Sequence, residues 1–168
     1  LYVSARGIYE AKINGVQVGE AYCSTGISQF VHHIMYQTYD VTKDLKPGIN
    51  GIGFMVGPGK WTDLYTYAEE KERFCEPRAS VMAKLDITYT DHTTETIVTD
   101  AEHWQLYDDS PYQYLEDLKG ERYDGYLASV CEEYSKPGFS AEGMSCPEVI
   151  TEAPYCAGET NPEIVCSR

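Results

Sequence analysis

Basic residues are scarce in this chain, with 13 lysines and arginines against 27 aspartates and glutamates and a net charge of −14. That shortage excludes a first group of functions. Gripping a phosphate backbone takes clustered Lys and Arg, and an anionic membrane surface repels so acidic a protein. No apolar run approaches the roughly 20 residues of a membrane-spanning helix, and no signal-peptide pattern is visible in the sequence. The chain opens directly in strand-like sequence, which predicts a piece of a larger polypeptide. C-x-x-C pairs are absent too. Cys23, Cys75, Cys131, Cys146, Cys156 and Cys166 are scattered, so a zinc ribbon or a thioredoxin-type motif is excluded. Such cysteines serve as disulfides in an exported protein or as small buried hydrophobes in a reducing cytoplasm. Reduced thiols, and with them a bacterial cytoplasm over export, are the expectation.

The familiar catalytic motifs are missing as well. "GPGKWT", Gly57 to Thr62, is not a phosphate loop: Phe54 stands where the first Gly is required, and Trp61 where a Ser or Thr would hold magnesium. Gly51 and Gly53 open a G-x-G, but the third glycine is out of place and no helix follows. Adjacent side chains on a strand point to opposite faces, so His32 and His33 cannot share a metal there. No G-x-S-x-G elbow is present. Two carboxylates at the right separation suffice for a glycosidase, but among 27 no pair stands out.

What is there is β-sequence. Asn14-Gly15 between Ile13 and Val16 is a strong hairpin signal, because both central positions of a type I′ turn want positive φ. Before it, Tyr9, Ala11 and Ile13 fall on one face and Glu10 and Lys12 on the other. Strands are predicted around Tyr36–Val41 and Ile49–Val56, with the Pro47-Gly48 turn between them. In the second of these, Ile52, Phe54 and Val56 alternate with Gly51, Gly53 and Met55. A face so bare requires something to pack close against it. Val81, Ala83, Leu85, Ile87 and Tyr89 alternate with Met82, Lys84, Asp86 and Thr88, and Asp91-His92 predicts the turn to a return strand at Thr96–Val98. A further strand is expected around Trp104, and short strands alternating with turns after Pro137-Gly138. Pro111 to Ala128 has room for a helical turn or two, interrupted by Gly120 and Gly125. Many short strands separated by turn signals predict an all-β fold, an antiparallel β-sandwich or jelly roll, over 1–168 as a single domain.

Fifteen tyrosines and two tryptophans are a high aromatic load. A flat ring offers an apolar face to the C–H face of a sugar while a hydroxyl or indole N–H bonds nearby. Most of these rings are ordinary strand packing. Trp61, in a Gly-rich loop between Lys60 and Thr62, is the one expected to be presented outward.

Several stretches carry a resemblance. "YEAKINGVQVG" (Tyr9–Gly19) and "YQTYDVTKDLKPGINGIGFMVG" (Tyr36–Gly57) resemble the hairpin and following run of galactose-binding-like sandwiches attached to glycosidases. "LDITYTDHTTETIVTDAEHW" (Leu85–Trp104), "GERYDGY" (Gly120–Tyr126) and "PGFSAEGMSCPEVITEAP" (Pro137–Pro154) are similar, in the same order, to motifs of the bacterial α-L-rhamnosidase N-terminal domain of glycoside hydrolase family 78. The resemblance implies a non-catalytic accessory β-sandwich in front of an (α/α)₆ catalytic barrel that carries the family's carboxylates. It also implies two roles for such a sandwich. It packs on its own catalytic domain, or it binds a rhamnose-containing glycan, in some members through a calcium ion. An independent lectin-like protein is a third alternative.

On the binding role the candidate sugar contacts are Trp61, Lys60, Asp63 and Gln37; on the packing role Glu121, Tyr123 and Asp124 are the interface. Asp124 also suits plain turn stabilisation. The sequence departs from the family where binding is concerned. "GISQF" (Gly26–Phe30) replaces "GWTDY", "GPGKWTD" (Gly57–Asp63) replaces "GDGWYRG", and Phe139 and Met144 stand at two tryptophan positions. Gln37-Thr38 occupies the place of an acidic–amide pair in calcium-using members. No protein-held metal is therefore assigned, and packing on the catalytic domain is the favoured role.

Overall fold

The computed structural model describes residues 1–21, 24–30, 32–62, 64–65, 72–73, 78–116, 120–152 and 162–166. In chain order the elements are β1 (Tyr2–Arg6), β2 (Ile8–Ile13), β3 (Val16–Gln17), β4 (His33–Thr38), β5 (Ile52–Gly57), α1 (Gly59–Thr62), β6 (Leu64–Tyr65), β7 (Glu72–Arg73), β8 (Ser80–Thr88), β9 (Thr94–Val98), β10 (Tyr112–Glu116), β11 (Gly120–Tyr123), α2 (Gly125–Cys131) and β12 (Glu163–Cys166). A five-stranded sheet runs β12-β4-β1-β8-β9 and a three-stranded sheet β3-β2-β5, with two-stranded ribbons β6-β7 and β10-β11. Among the described residues every strand pairing is antiparallel except β12 on β4. The expected all-β sandwich is what forms.

The two main sheets face each other across one core, and β1 and β2 supply one strand to each. Gly7 makes the passage between them at φ +127°, where a Cβ would lie 2.3 Å from the Gly57 carbonyl oxygen. No side chain fits that corner. Alternation then sorts the residues. Leu1, Val3 and Ala5 enter the core from one side with Ala83 and Leu85 of β8. Tyr9, Ala11 and Ile13 enter from the other, and Val18 and Val41 join them. Burying each large apolar side chain contributes about 1.5–3 kcal/mol. The Asn14-Gly15 turn has both residues at positive φ, 53° and 82°, as the hairpin signal requires. His92, at φ 67°, turns β8 into β9.

The bare face of β5 is covered by the chain itself. A Cβ on Gly51 would meet the Ser135 carbonyl oxygen at 2.3 Å, and one on Gly53 would meet the Tyr134 ring at 2.5 Å. Ser135 is fully buried beneath this contact. The glycines let the backbone of 134–136 lie directly on the three-stranded sheet.

Two expectations need correction. Pro111 to Ala128 holds the β10-β11 ribbon before its short helix, because Tyr112 and Tyr123 pair across it and Gly120, at φ +89°, leads into the second strand. Trp104 lies outside any strand. Its indole N–H donates to the Val98 carbonyl at 2.9 Å, its ring packs on Phe54 at 5.6 Å, and only Leu106 beyond it bridges to Ser145.

Candidate functional site

The Gly57–Asp63 loop is where sequence places a sugar site. Pro58 leaves β5 and α1 follows at once, with Thr62 N–H donating to the Pro58 carbonyl at 3.4 Å. This single turn drives Trp61 inward. Its ring is 0 % exposed and meets Phe30 edge-on at 5.3 Å between centroids. The Arg6 guanidinium carbon sits 5.5 Å from its centroid, and Ile34 of β4 completes the cluster. The outward Trp61 platform is thus overturned: a ring enclosed on all sides has no face for a sugar. Lys60 is half-buried beside it, and Asp63 lies outside the described residues.

Gln37 goes elsewhere. In the β1–β4 register Tyr36 pairs with Ser4 and Gln37 with Val3, so Gln37 shares the inner face with the core residue Val3. Ile34, two residues before Tyr36, lies on the outer face with Trp61. Gln37 and Trp61 therefore sit on opposite faces of one sheet, and the fold does not bring them together. The Gln37 Oε1 accepts two hydroxyls across the core, from Tyr9 at 2.8 Å and from Tyr39 at 2.5 Å, and the two hydroxyl oxygens are 3.0 Å apart. Burial first, then the bond with Tyr39, raises the Tyr9 pKa far above the ordinary tyrosine value. Tyr9 is therefore a neutral phenol at any physiological pH.

This region does not fit calcium, which takes six to eight oxygen ligands. The Gln37 oxygen already serves two phenols. Asp40 Oδ1 accepts from the Thr42 amide at 3.0 Å and its hydroxyl at 2.7 Å. Among the described residues no group of three or more His, Cys, Asp or Glu converges as a metal site. Cys131 and Cys146 are free thiols; Cys23, Cys75 and Cys156 lie outside the described residues.

Glu121, Tyr123 and Asp124 sit together at the surface, at the end of β11. The Tyr123 ring meets Tyr112 edge-on at 5.0 Å. Asp124 caps α2, accepting from Tyr126 N–H at 2.9 Å and Leu127 N–H at 3.2 Å. The turn-stabilising role expected of it is thus present, and it leaves Glu121 and Tyr123 exposed beside it.

With this geometry in place, kinship can be weighed. The family model described as the α-L-rhamnosidase N-terminal domain matches residues 1–158. The chain belongs to the α-L-rhamnosidase N-terminal domain family. It is similar to the α-L-rhamnosidase of Streptomyces avermitilis, 33% identical over 139 residues that make up 83% of this chain and 13% of that protein. It is also similar to that of Alteromonas sp. strain LOR, 29% identical over 157 residues, 91% of this chain and 16% of the relative. The solved structure of the S. avermitilis α-L-rhamnosidase complexed with L-rhamnose superposes with a TM-score of 0.80 at 28% identity, over 98% of this chain and 15% of that one. The native enzyme from Aspergillus terreus superposes at 0.76 and 28% identity, over 89% of this chain and 17% of that one. This rhamnosidase N-terminal domain therefore spans only about one sixth of its relatives' length or less.

Among the described residues, the carboxylates whose acidity moves are held ionised. Asp86 is lowered by Lys84 and Thr96, Asp91 by Thr93, and Asp40 by Thr42. Each is anchored in a turn or a cross-strand pair, the opposite of the raised acid that protonates a glycosidic oxygen. Sequence reasoning missed the Tyr9–Gln37–Tyr39 contact. Its only signal was one-faced spacing, with Tyr9 on the core side of β2 and Gln37 and Tyr39 two apart.

Proposed function

We propose that this domain is a non-catalytic accessory module of an α-L-rhamnosidase, and that it supports the catalytic part by packing against it rather than by capturing sugar. The observation that carries the reading is the family match over 1–158 in a chain that amounts to 13–16% of the rhamnosidases it resembles. The internal chemistry supports it: the phenols, amides and carboxylates described above are spent on turns, caps and core contacts. The residues that suggested sugar binding do not converge, with Trp61 enclosed and Gln37 turned into the core.

A second reading, rhamnose binding by the module, draws its support from the relative solved with L-rhamnose. On that reading Lys60 and Asp63 remain the candidate contacts, whereas on the packing reading Glu121, Tyr123 and Asp124 are the candidate interface. The test is an assay of the parent polypeptide against an aryl α-L-rhamnoside. Hydrolysis by the parent, weakened when 1–168 is deleted, is the expected result. A parent that cleaves no α-L-rhamnoside overturns the proposal.

A further inference from the structure

The two outer faces of the sandwich are treated differently. The three-stranded sheet is covered by the chain's own 134–136 segment on Gly51 and Gly53. On the five-stranded sheet, among the described residues, Trp61 and Phe30 cover the Ile34 end of the outer face. The register carries that face across all five strands. Cys166 pairs with Tyr36, Tyr36 with Ser4, and Ser4 with Met82, while Tyr2 pairs with Lys84 and Lys84 with Val98. The outward side of such a sheet is ordinarily polar. Here it presents Tyr2 at 40 % exposure, Met82 at 51 %, Val98 at 48 % and Ile164 at 46 %, with Lys84 between Tyr2 and Val98, its ammonium 5.7 Å from the Tyr2 ring centroid. Small Ser4 forms the floor, its hydroxyl turned down to the Met35 carbonyl at 2.9 Å. The apolar side chains stand around it as a shallow depression of about 410 Å³. Exposed large apolar side chains grouped on the outer face of a sheet are the kind of surface a partner covers.

We infer that this depression is an interdomain seat, filled by the part of the parent polypeptide that follows β12. Two observations fix the occupant. The relatives are several times longer than this chain, so on the proposed function most of the parent lies outside the domain. And β12 is itself a strand of this sheet, lying parallel to β4. It contributes Ile164 to the depression, and its strand direction, from the level of Ile34 to that of Tyr36, points towards the level of the Tyr2–Lys84–Val98 row.

The experiment is peroxide and hydroxyl-radical footprinting of the parent polypeptide, read by mass spectrometry. The comparisons are internal to one molecule. Met82 is the exposed methionine of the domain, whereas Met35, Met55 and Met144 are half-buried; Tyr89, at 46 % exposure, is the comparison for Tyr2. The expected result is Met82 oxidised no faster than the other three methionines, and Tyr2 labelled at least about tenfold more slowly than Tyr89, at every protein concentration. Met82 oxidising fastest, with Tyr2 labelled at about the rate of Tyr89, overturns the inference. Protection that disappears on dilution overturns it too, since a second copy would then be the occupant. The rhamnoside assay is independent of this readout: an active parent with a reactive Met82 contradicts only the seat.

Discussion

Asn14 and Gly51 exchange hydrogen bonds in both directions. The Asn14 N–H donates to the Gly51 carbonyl at 2.8 Å, and the Gly51 N–H donates to Asn14 Oδ1 at 3.0 Å. Asn14 Nδ2 then reaches the Asp44 carbonyl and Asn50 Oδ1, each at 2.8 Å. One side chain at a hairpin tip thus fixes the 44–51 loop to the three-stranded sheet. It does so from φ 53°, where Asn is tolerated and Ala is strained.

Asn14→Ala therefore loses three side-chain hydrogen bonds and adds backbone strain. The expected loss is about 4–5 kcal/mol, at roughly 1 kcal/mol per bond and 1–2 for the conformation. Asn14→Gly keeps the conformation and should lose less than the Ala variant by about 1 kcal/mol. Urea denaturation checks both. Equal losses in the two variants would contradict the strain argument.

Trp61 should behave as a core residue. Trp61→Ala empties the space between Phe30, Ile34 and Arg6, and large-to-Ala changes at buried aromatics cost about 3–5 kcal/mol. Thermal or urea unfolding would show it. A loss below about 0.5 kcal/mol, the range of ordinary surface changes, would mean that the ring is exposed in solution.

The Asp100–His103 pair predicts a defined pH dependence. His103 Nδ1 lies 2.9 Å from Asp100 Oδ2. Its pKa is raised above 6.5, first by that hydrogen bond. Asp100 is lowered below 3.8, first by the backbone N–H of His103. The raised histidine stabilises the fold fully below pH 6.5 and loses its contribution as pH climbs through its folded pKa. The lowered aspartate contributes above pH 3.8 and loses its share as pH falls through its own. Both are in force between pH 3.8 and 6.5. An NMR titration of His103 should give a midpoint above 6.5, falling back towards it in Asp100→Asn. The same midpoint in both proteins would refute the coupling.

How far the sequence carries depends on the range of the contact that decides each feature. The alternation of β2 and β8 and the Asn14-Gly15 and Asp91-His92 turns are local, and they are legible residue by residue. Gly51 and Gly53 announce a close neighbour, but that neighbour is Ser135, far along the chain, and no local pattern names it. Trp61 misleads for the same reason. Its Gly-rich surroundings read as a surface loop, while its burial is decided by Phe30 and Ile34. Met82 misleads in the opposite sense: it alternates with core residues, beside Lys84 and Asp86, and so reads as part of a wet face. Only the register of five strands shows that Tyr2, Val98 and Ile164 gather around it.

The central claim is that this sandwich is an accessory module with no hydrolytic chemistry of its own. The most direct test incubates the folded 168-residue chain with saturating p-nitrophenyl α-L-rhamnopyranoside and follows nitrophenolate release. No release above buffer is the result predicted. Release that scales with protein concentration and survives repurification would contradict it, and would place a working pair of carboxyl groups within this chain.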